Sequence, residues 1–212
     1  MILPLLNLLF PSRCVFCREF VPNRQAVCTN CNKHLPFCHE EARQTGEFYA
    51  ACVSPLFYTD TVRDSHHRYK FNGHRWYAKT YAPFVAKCIA AHYTDRYDLI
   101  TWVPLSKKRR RKRGYDQAEL LAHAIAAELN TEAVPTLQKT RDTTPLSSLG
   151  GKEERKATLS GAYTALDGVS GKRILLIDDI ITTGTSLSEC ARCLLMAGAE
   201  EVLTATLARS EV

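Results

Sequence analysis

The chain has no run of about 20 apolar residues, the length a membrane-spanning helix requires. Its apolar start, Ile2 to Phe10, falls well short of that and has neither a basic flank nor a small-residue cleavage site, so no secretory signal is expected. The expected role is a helix from Pro4 to Phe10 packed on the domain behind it, with peripheral membrane contact the lesser alternative. Gly-Lys-Ser/Thr is also missing, which excludes a Walker-type phosphate loop. Gly-x-Gly-x-x-Gly is absent too, and a Rossmann dinucleotide turn loses its support. What remains is ordinary for a globular protein: 45% hydrophobic and 24% charged residues, which argues against wholesale disorder. At 212 residues there is room for one α/β domain and a small appendage. The net charge of +6 favours an acidic partner or substrate.

Nine cysteines without an export signal point away from a disulfide framework and toward thiolate chemistry in a reducing compartment. Four are spaced as Cys14-x-x-Cys17 and Cys28-x-x-Cys31. Each pair forms a knuckle that aims two sulfurs at one ion, and two knuckles complete a tetrahedral site of the zinc-ribbon kind. The alternatives are free buried thiols or a redox pair. So short a segment buries no core of its own, and a structural zinc would supply its folding energy. Cys38 followed by His39 looks like half of a third knuckle. Cys190 and Cys193 repeat the spacing, but Leu187, Cys190, Ala191 and Leu194 form a helical stripe on which cysteine acts as a small hydrophobe. Cys52 and Cys88 read as core residues for the same reason.

The most informative segment is 173–186. The short apolar run Ile174 to Ile177 suits a strand covered on both faces. It delivers Asp178 and Asp179 into Thr182, Thr183, Gly184, Thr185 and Ser186, small residues whose amides and hydroxyls converge on an anion. Ser186, three residues before Glu189, has capping-box spacing and is expected to open a helix whose positive dipole end faces this loop. The acids are placed to hold sugar hydroxyls, with a divalent cation such as magnesium neutralising a polyphosphate ester. The string resembles the phosphoribosyl-diphosphate (PRPP) motif of type I phosphoribosyltransferases. That resemblance implies that Asp178 and Asp179 face the ribose, as the catalytic acids, while residues 182–186 wrap the 5-phosphate.

Strands and helices alternate elsewhere. Strands are expected at Ala51 to Tyr58, Asp98 to Val103 and Val202 to Leu207, and a helix at Trp76 to Tyr93. Asp116 caps another helix whose apolar face is Ala118, Leu121, Ala122, Ile125 and Leu129, and Gly198 closes the helix after the phosphate loop. Residues 139–160 form a polar segment. This order implies a parallel sheet flanked by helices, an α/β fold with its ligand beyond the carboxyl ends of the strands. Pro104 ends one strand there, and the run 107–113 that follows holds seven consecutive cations, a quarter of all Lys and Arg. Read alone, it is a solvated loop, an electrostatic patch or an anion site. Its position assigns pyrophosphate to Arg111 and Arg113, and nucleic acid to Lys107, Lys108, Arg109 and Arg110.

Two cysteine knuckles, Tyr69-Lys70-Phe71-Asn72-Gly73, Val103-Pro104 leading to Arg113-Gly114-Tyr115-Asp116-Gln117, and the PRPP motif, in this order, resemble the ComF family of competence-associated phosphoribosyltransferase-like proteins, GntX-type members included. The resemblance implies two parts, residues 1–45 (apolar N-terminal helix and zinc ribbon) and 46–212 (a type I phosphoribosyltransferase-like domain). It further implies a cytoplasmic location, PRPP as ligand, a role in natural transformation with single-stranded DNA, and DNA-uptake or DNA-processing proteins as partners. An active phosphoribosyltransferase of nucleotide metabolism and a PRPP-sensing regulator remain alternatives, and no residue set identifies an acceptor. The chain departs from the family at Pro145-Leu146, at Arg155 to Thr158 and at Asp116 within Tyr-Asp-Gln.

Overall fold

The computed structural model describes residues 12–22, 25–38, 43–144 and 150–210. The expected helix at Pro4 to Phe10, together with His39, lies outside them. Strands β1 (Cys52–Val53), β2 (Leu56–Phe57), β3 (Leu99–Trp102), β6 (Arg173–Ile181) and β7 (Glu201–Arg209) form one sheet. Its order is β1-β7-β6-β3, with β2 also paired to β7, and every pairing is parallel. The strand expected from Ala51 to Tyr58 is broken in two at Ser54-Pro55, where the proline has no N–H to give a ladder. An edge position tolerates that loss.

β6 shows why the sheet needs helices on both sides. Successive side chains point to opposite faces: Leu175 and Ile177 join one apolar cluster, Ile174 and Leu176 another, and all four are fully buried. The first cluster contains Tyr81, Val85 and Ile89 of helix α3 (Tyr77–Tyr93) with Leu121 and Ile125 of α5 (Gln117–Glu128). The second contains Leu187, Cys190 and Leu194 of α7 (Thr185–Met196). Cys190 is therefore a core residue, as its stripe suggests; Cys52 is buried and Cys88 half-buried.

Three further features differ from expectation. Residues 107–113 are a helix, α4 (Lys107–Arg113), whose start is capped by the Ser106 hydroxyl and whose end is Gly114 in the left-handed conformation at φ +82°. Around the segment read as polar, β4 (Leu137–Lys139) and β5 (Tyr163–Ala165) pair as a separate antiparallel ribbon, with α6 (Lys152–Leu159) between them in sequence. Finally, α7 begins at Thr185 behind Gly184, with no side-chain cap at its start. The Ser186–Glu189 capping box does not form, because the Glu189 carboxylate accepts from the Gly161 amide and from Arg192.

The cysteine knuckles, which include the one-and-a-half-turn helix α1 (Thr29–His34), dock on the domain through helix α2 (Asp60–Phe71). Ser65 and Arg68 donate to the Val15 carbonyl at 2.7 and 3.0 Å, and Arg68 also to that of Phe16 at 2.6 Å. Phe16 packs against Tyr81 and Phe84 of α3. Among the described residues, no helix is long and apolar enough to cross a membrane.

Candidate functional site

β6 does not stop at Ile177. It carries Asp178 and Asp179 within the strand, with Asp178 opposite Thr206 of β7, before the chain turns into the loop. Both acids are buried, and their surroundings separate them. The Asp179 carboxylate accepts from His66 Nε2 at 2.7 Å and pairs with Lys70 Nζ at 3.3 Å, both one helical turn apart on α2. Burial alone raises its pKa, but the Lys70 and His66 contacts outweigh burial and hold it well below the usual carboxylate range. Asp178 has no such cation: burial, with the neighbouring Asp179 charge, pushes it well above that range. The two carboxyls are thus driven in opposite directions, Asp179 toward the ionised form and Asp178 toward the protonated form. His66 is kept neutral, since burial lowers its pKa more than Asp179 raises it. Its Nδ1 then accepts from the Tyr58 hydroxyl at 3.2 Å while Nε2–H serves Asp179, which fixes the tautomer.

Beyond Ile181 the chain reverses through Gly184 at φ +71°. A Cβ there would lie 2.5 Å from the buried Tyr49 hydroxyl, so both conformation and space require glycine. The turn sets the Thr183 and Thr185 hydroxyls 2.8 Å apart and places Ser186 in the first turn of α7, where free amides and the helix dipole favour an anion.

Acids, loop and basic helix line one cavity of about 790 Å³. From α4 it receives Arg109, Lys112 and Arg113, spaced i, i+3 and i+4 and so on one helical face. Arg111 is exposed and is not among the lining residues. Lys107 and Lys108 are also exposed, and Arg110 pairs with Glu119 at 3.0 Å. The site residues expected from sequence thus fall into three places: the acids and the loop 182–186 meet in the cavity, Arg113 joins them with Arg109, and Lys107, Lys108, Arg110 and Arg111 lie outside it. Arg113 is held by Gln117 Oε1 and lies over the Phe71 ring at 5.2 Å. The segments 69–73 and 113–117 are bonded to each other: Tyr69 donates to the Gln117 carbonyl at 2.6 Å and Tyr115 to that of Tyr69. Asp116 caps α5 and also accepts from the Leu105 amide at 2.7 Å, which fixes both ends of the α4 segment.

Sequence reasoning missed His66, Lys70, Lys139, Arg155 and Tyr163 as cavity residues. The spacing of His66 and Lys70 on one helical face was a signal, but their partner lies 113 residues away from His66.

At the other end, the ligand atoms of Cys14, Cys17, Cys28 and Cys31 lie within 4.8 Å of one another. Cys17 and Cys28 Sγ are 3.6 Å apart, close to the ~3.8 Å edge of a tetrahedron with Zn–S bonds of about 2.3 Å. The Cys28 amide points at Cys14 Sγ (3.4 Å) and the Cys31 amide at Cys28 Sγ (3.3 Å). Burial raises the Cys14 thiol, but amides of Cys28, Cys17 and Phe16 bring it down to about 7. The arrangement fits a closed structural zinc site, and no second cluster of this kind accompanies it among the described residues.

Residues 116–211 match the phosphoribosyl transferase domain and residues 5–52 the double zinc ribbon domain. The chain is 32% identical to competence protein ComFC of Bacillus subtilis over 72% of its own length but only 62% of that relative's. It is 25% identical to competence protein F of Haemophilus influenzae, covering 95% and 98% of the two chains. Identity to the DNA utilization protein YhgH of Salmonella typhimurium is 27%, over 93% and 90%.

Proposed function

The chain belongs to the ComF family, phosphoribosyltransferase-like proteins with an N-terminal zinc ribbon, and from that premise we propose that it binds PRPP and acts in natural transformation, on or beside single-stranded DNA. One observation carries the reading: the buried acids at the end of β6 run into the Gly184 turn at the start of α7, across a cavity from the Arg109, Lys112 and Arg113 face of α4. A phosphate monoester suits the loop 182–186, ribose hydroxyls suit Asp178 and Asp179, and the diphosphate suits the three cations. In this reading Arg109, which lines the cavity, is assigned to the diphosphate instead of to nucleic acid, and Arg111, which is not among the lining residues, is not. The buried carboxylate oxygens are hard donors that fit magnesium, which, bound with PRPP, supplies charge to neutralise the diphosphate. Lys107, Lys108 and Arg111 face solvent and suit a strand of phosphates.

The same cavity supports a second reading, transfer, in which an acceptor bonds to C1 of the ribose and diphosphate leaves with the electrons of the broken C–O bond. Arg113 and Arg109 then stabilise the departing charge. Calorimetry should show magnesium-dependent PRPP binding that is lost on Asp178→Asn with Asp179→Asn, the fold being unchanged by circular dichroism. Unaltered affinity in that variant sinks the assignment. A diphosphate-release assay with single-stranded DNA and with free bases separates the two readings: release marks an enzyme, none marks a binding module.

A further inference from the structure

The loop 182–186 contains only Thr, Gly and Ser, so a phosphate dianion placed there meets no charged side chain of the loop itself. A helix N-terminus supplies roughly half an elementary charge. Some other cation must balance the rest. The β4–β5 ribbon, which plays no part in the reading above, brings one. Lys139 ends β4 with only 7% of its surface exposed, yet it lines the cavity. Its ammonium donates to the Tyr163 hydroxyl at 3.1 Å and lies 4.8 Å from the centre of that ring. Tyr163 is itself buried on β5 and lines the same cavity as Ser186 of the phosphate loop. The ammonium, the phenol and the first turn of α7 thus border one cavity.

We propose that Lys139, acting through Tyr163 and Ser186, is the cation that balances a phosphate dianion in the loop 182–186. The inference rests on the PRPP reading and adds to it a residue and a linkage to protons. A buried ammonium is costly without a counter-ion. Burial, with Arg109 of α4 adding to it, lowers Lys139 to about 8, while Cys190 of α7, Asp142 and Asp178 of β6 oppose the shift less strongly. Arg155 of α6 lines the same cavity. A bound dianion favours the charged form and raises that value. Binding above pH 8 therefore takes up a proton, and affinity falls as pH rises. At pH 8.5 about three-quarters of the empty molecules lack the Lys139 proton, so uptake approaches that fraction.

The test is calorimetry of ribose 5-phosphate and of PRPP at pH 7.0 and 8.5, in two buffers of different ionisation enthalpy that contain no phosphate. Ribose 5-phosphate has no diphosphate and so reports on the loop without the α4 cations. Both ligands should take up protons at pH 8.5 and almost none at pH 7.0. Lys139→Met, which suits the buried position, should abolish the uptake and weaken both ligands roughly tenfold or more at pH 7.0. Tyr163→Phe keeps the ring and removes only the hydroxyl, and should give a smaller loss. Unchanged uptake in Lys139→Met overturns the inference, as does uptake seen with PRPP but not with ribose 5-phosphate, which would place Lys139 on the diphosphate. Failure of the parent protein to bind PRPP at all would overturn the underlying reading instead.

Discussion

Asp178 and Asp179 are adjacent in sequence and chemically alike, yet the fold gives them opposite effects on stability. In the unfolded chain each titrates near 4. Folded Asp178 keeps its proton above that value, so ionisation of the unfolded state costs stability as pH rises from about 4 until the folded value is passed. Asp178→Asn should therefore stabilise the ligand-free protein at pH 7, with the gain vanishing at pH 4 and PRPP binding lost. Asp179 is held below 4 by Lys70 and His66, so its contribution is present at neutral pH and disappears as pH falls through and below 4. Asp179→Asn should destabilise at pH 7. Thermal unfolding of both variants at the two pH values decides the matter, and equal signs at pH 7 would refute it.

At the scale of elements, α4 sorts its seven cations by helical period, where their order along the chain does not. The outward set Lys107, Lys108 and Arg111 and the inward pair Arg109 and Lys112 can be exchanged separately. Alanine at the outward three should flatten the salt dependence of single-stranded DNA binding by about 2 in log–log slope, at about 0.7 per phosphate contact, and leave PRPP affinity nearly intact. Alanine at Arg109 and Lys112 should do the reverse. If the outward variant loses PRPP and keeps DNA, the division is wrong.

The same helix shows what a sequence conceals. Apolar periodicity marks a helix, and a run of pure charge has none, so α4 is invisible in the pattern although Ser106 and Gly114 mark its ends. β4 and β5, three residues each, are too short for alternation to register, which hid Lys139 and Tyr163. β6, α7 and α3 were legible because long apolar stretches with one period admit few other arrangements. The cysteine quartet and the acidic pair were legible because their ligand spacing is local. His66 and Lys70 were not, because their role exists only once α2 lies against β6.

For the whole molecule, α2 ties the two ends of the chemistry together. Its Ser65 and Arg68 hold the knuckle backbone at Val15 and Phe16, while the neighbouring His66 and Lys70 hold Asp179. Loss of a metal from the quartet would loosen the knuckle backbone that Ser65 and Arg68 hold, and so the helix that also carries His66 and Lys70. Elemental analysis should find one zinc per chain. Chelation, or Cys17→Ser, should lower Tm and also weaken PRPP binding by about 1 kcal/mol, roughly fivefold, although no cysteine of the quartet lines the cavity. A metal-free protein with undiminished Tm would contradict this.

The strand order also sets a timetable for biosynthesis. β1 and β2 have no partner in the sheet except β7, and Cys52 pairs with Thr204 across most of the chain. A ribosome that has made the knuckles, α2, α3 and even α5 has released only single antiparallel bridges for the first two strands, at Phe37 and Gln44, and no neighbouring strand of the sheet. The growing polypeptide must wait with its apolar segments uncovered until residues near 204 leave the exit tunnel, and closing so long a loop is entropically slow. Until then the carboxylates of β6 stand on an unfinished sheet, so the ligand cavity is assembled only at the end of folding.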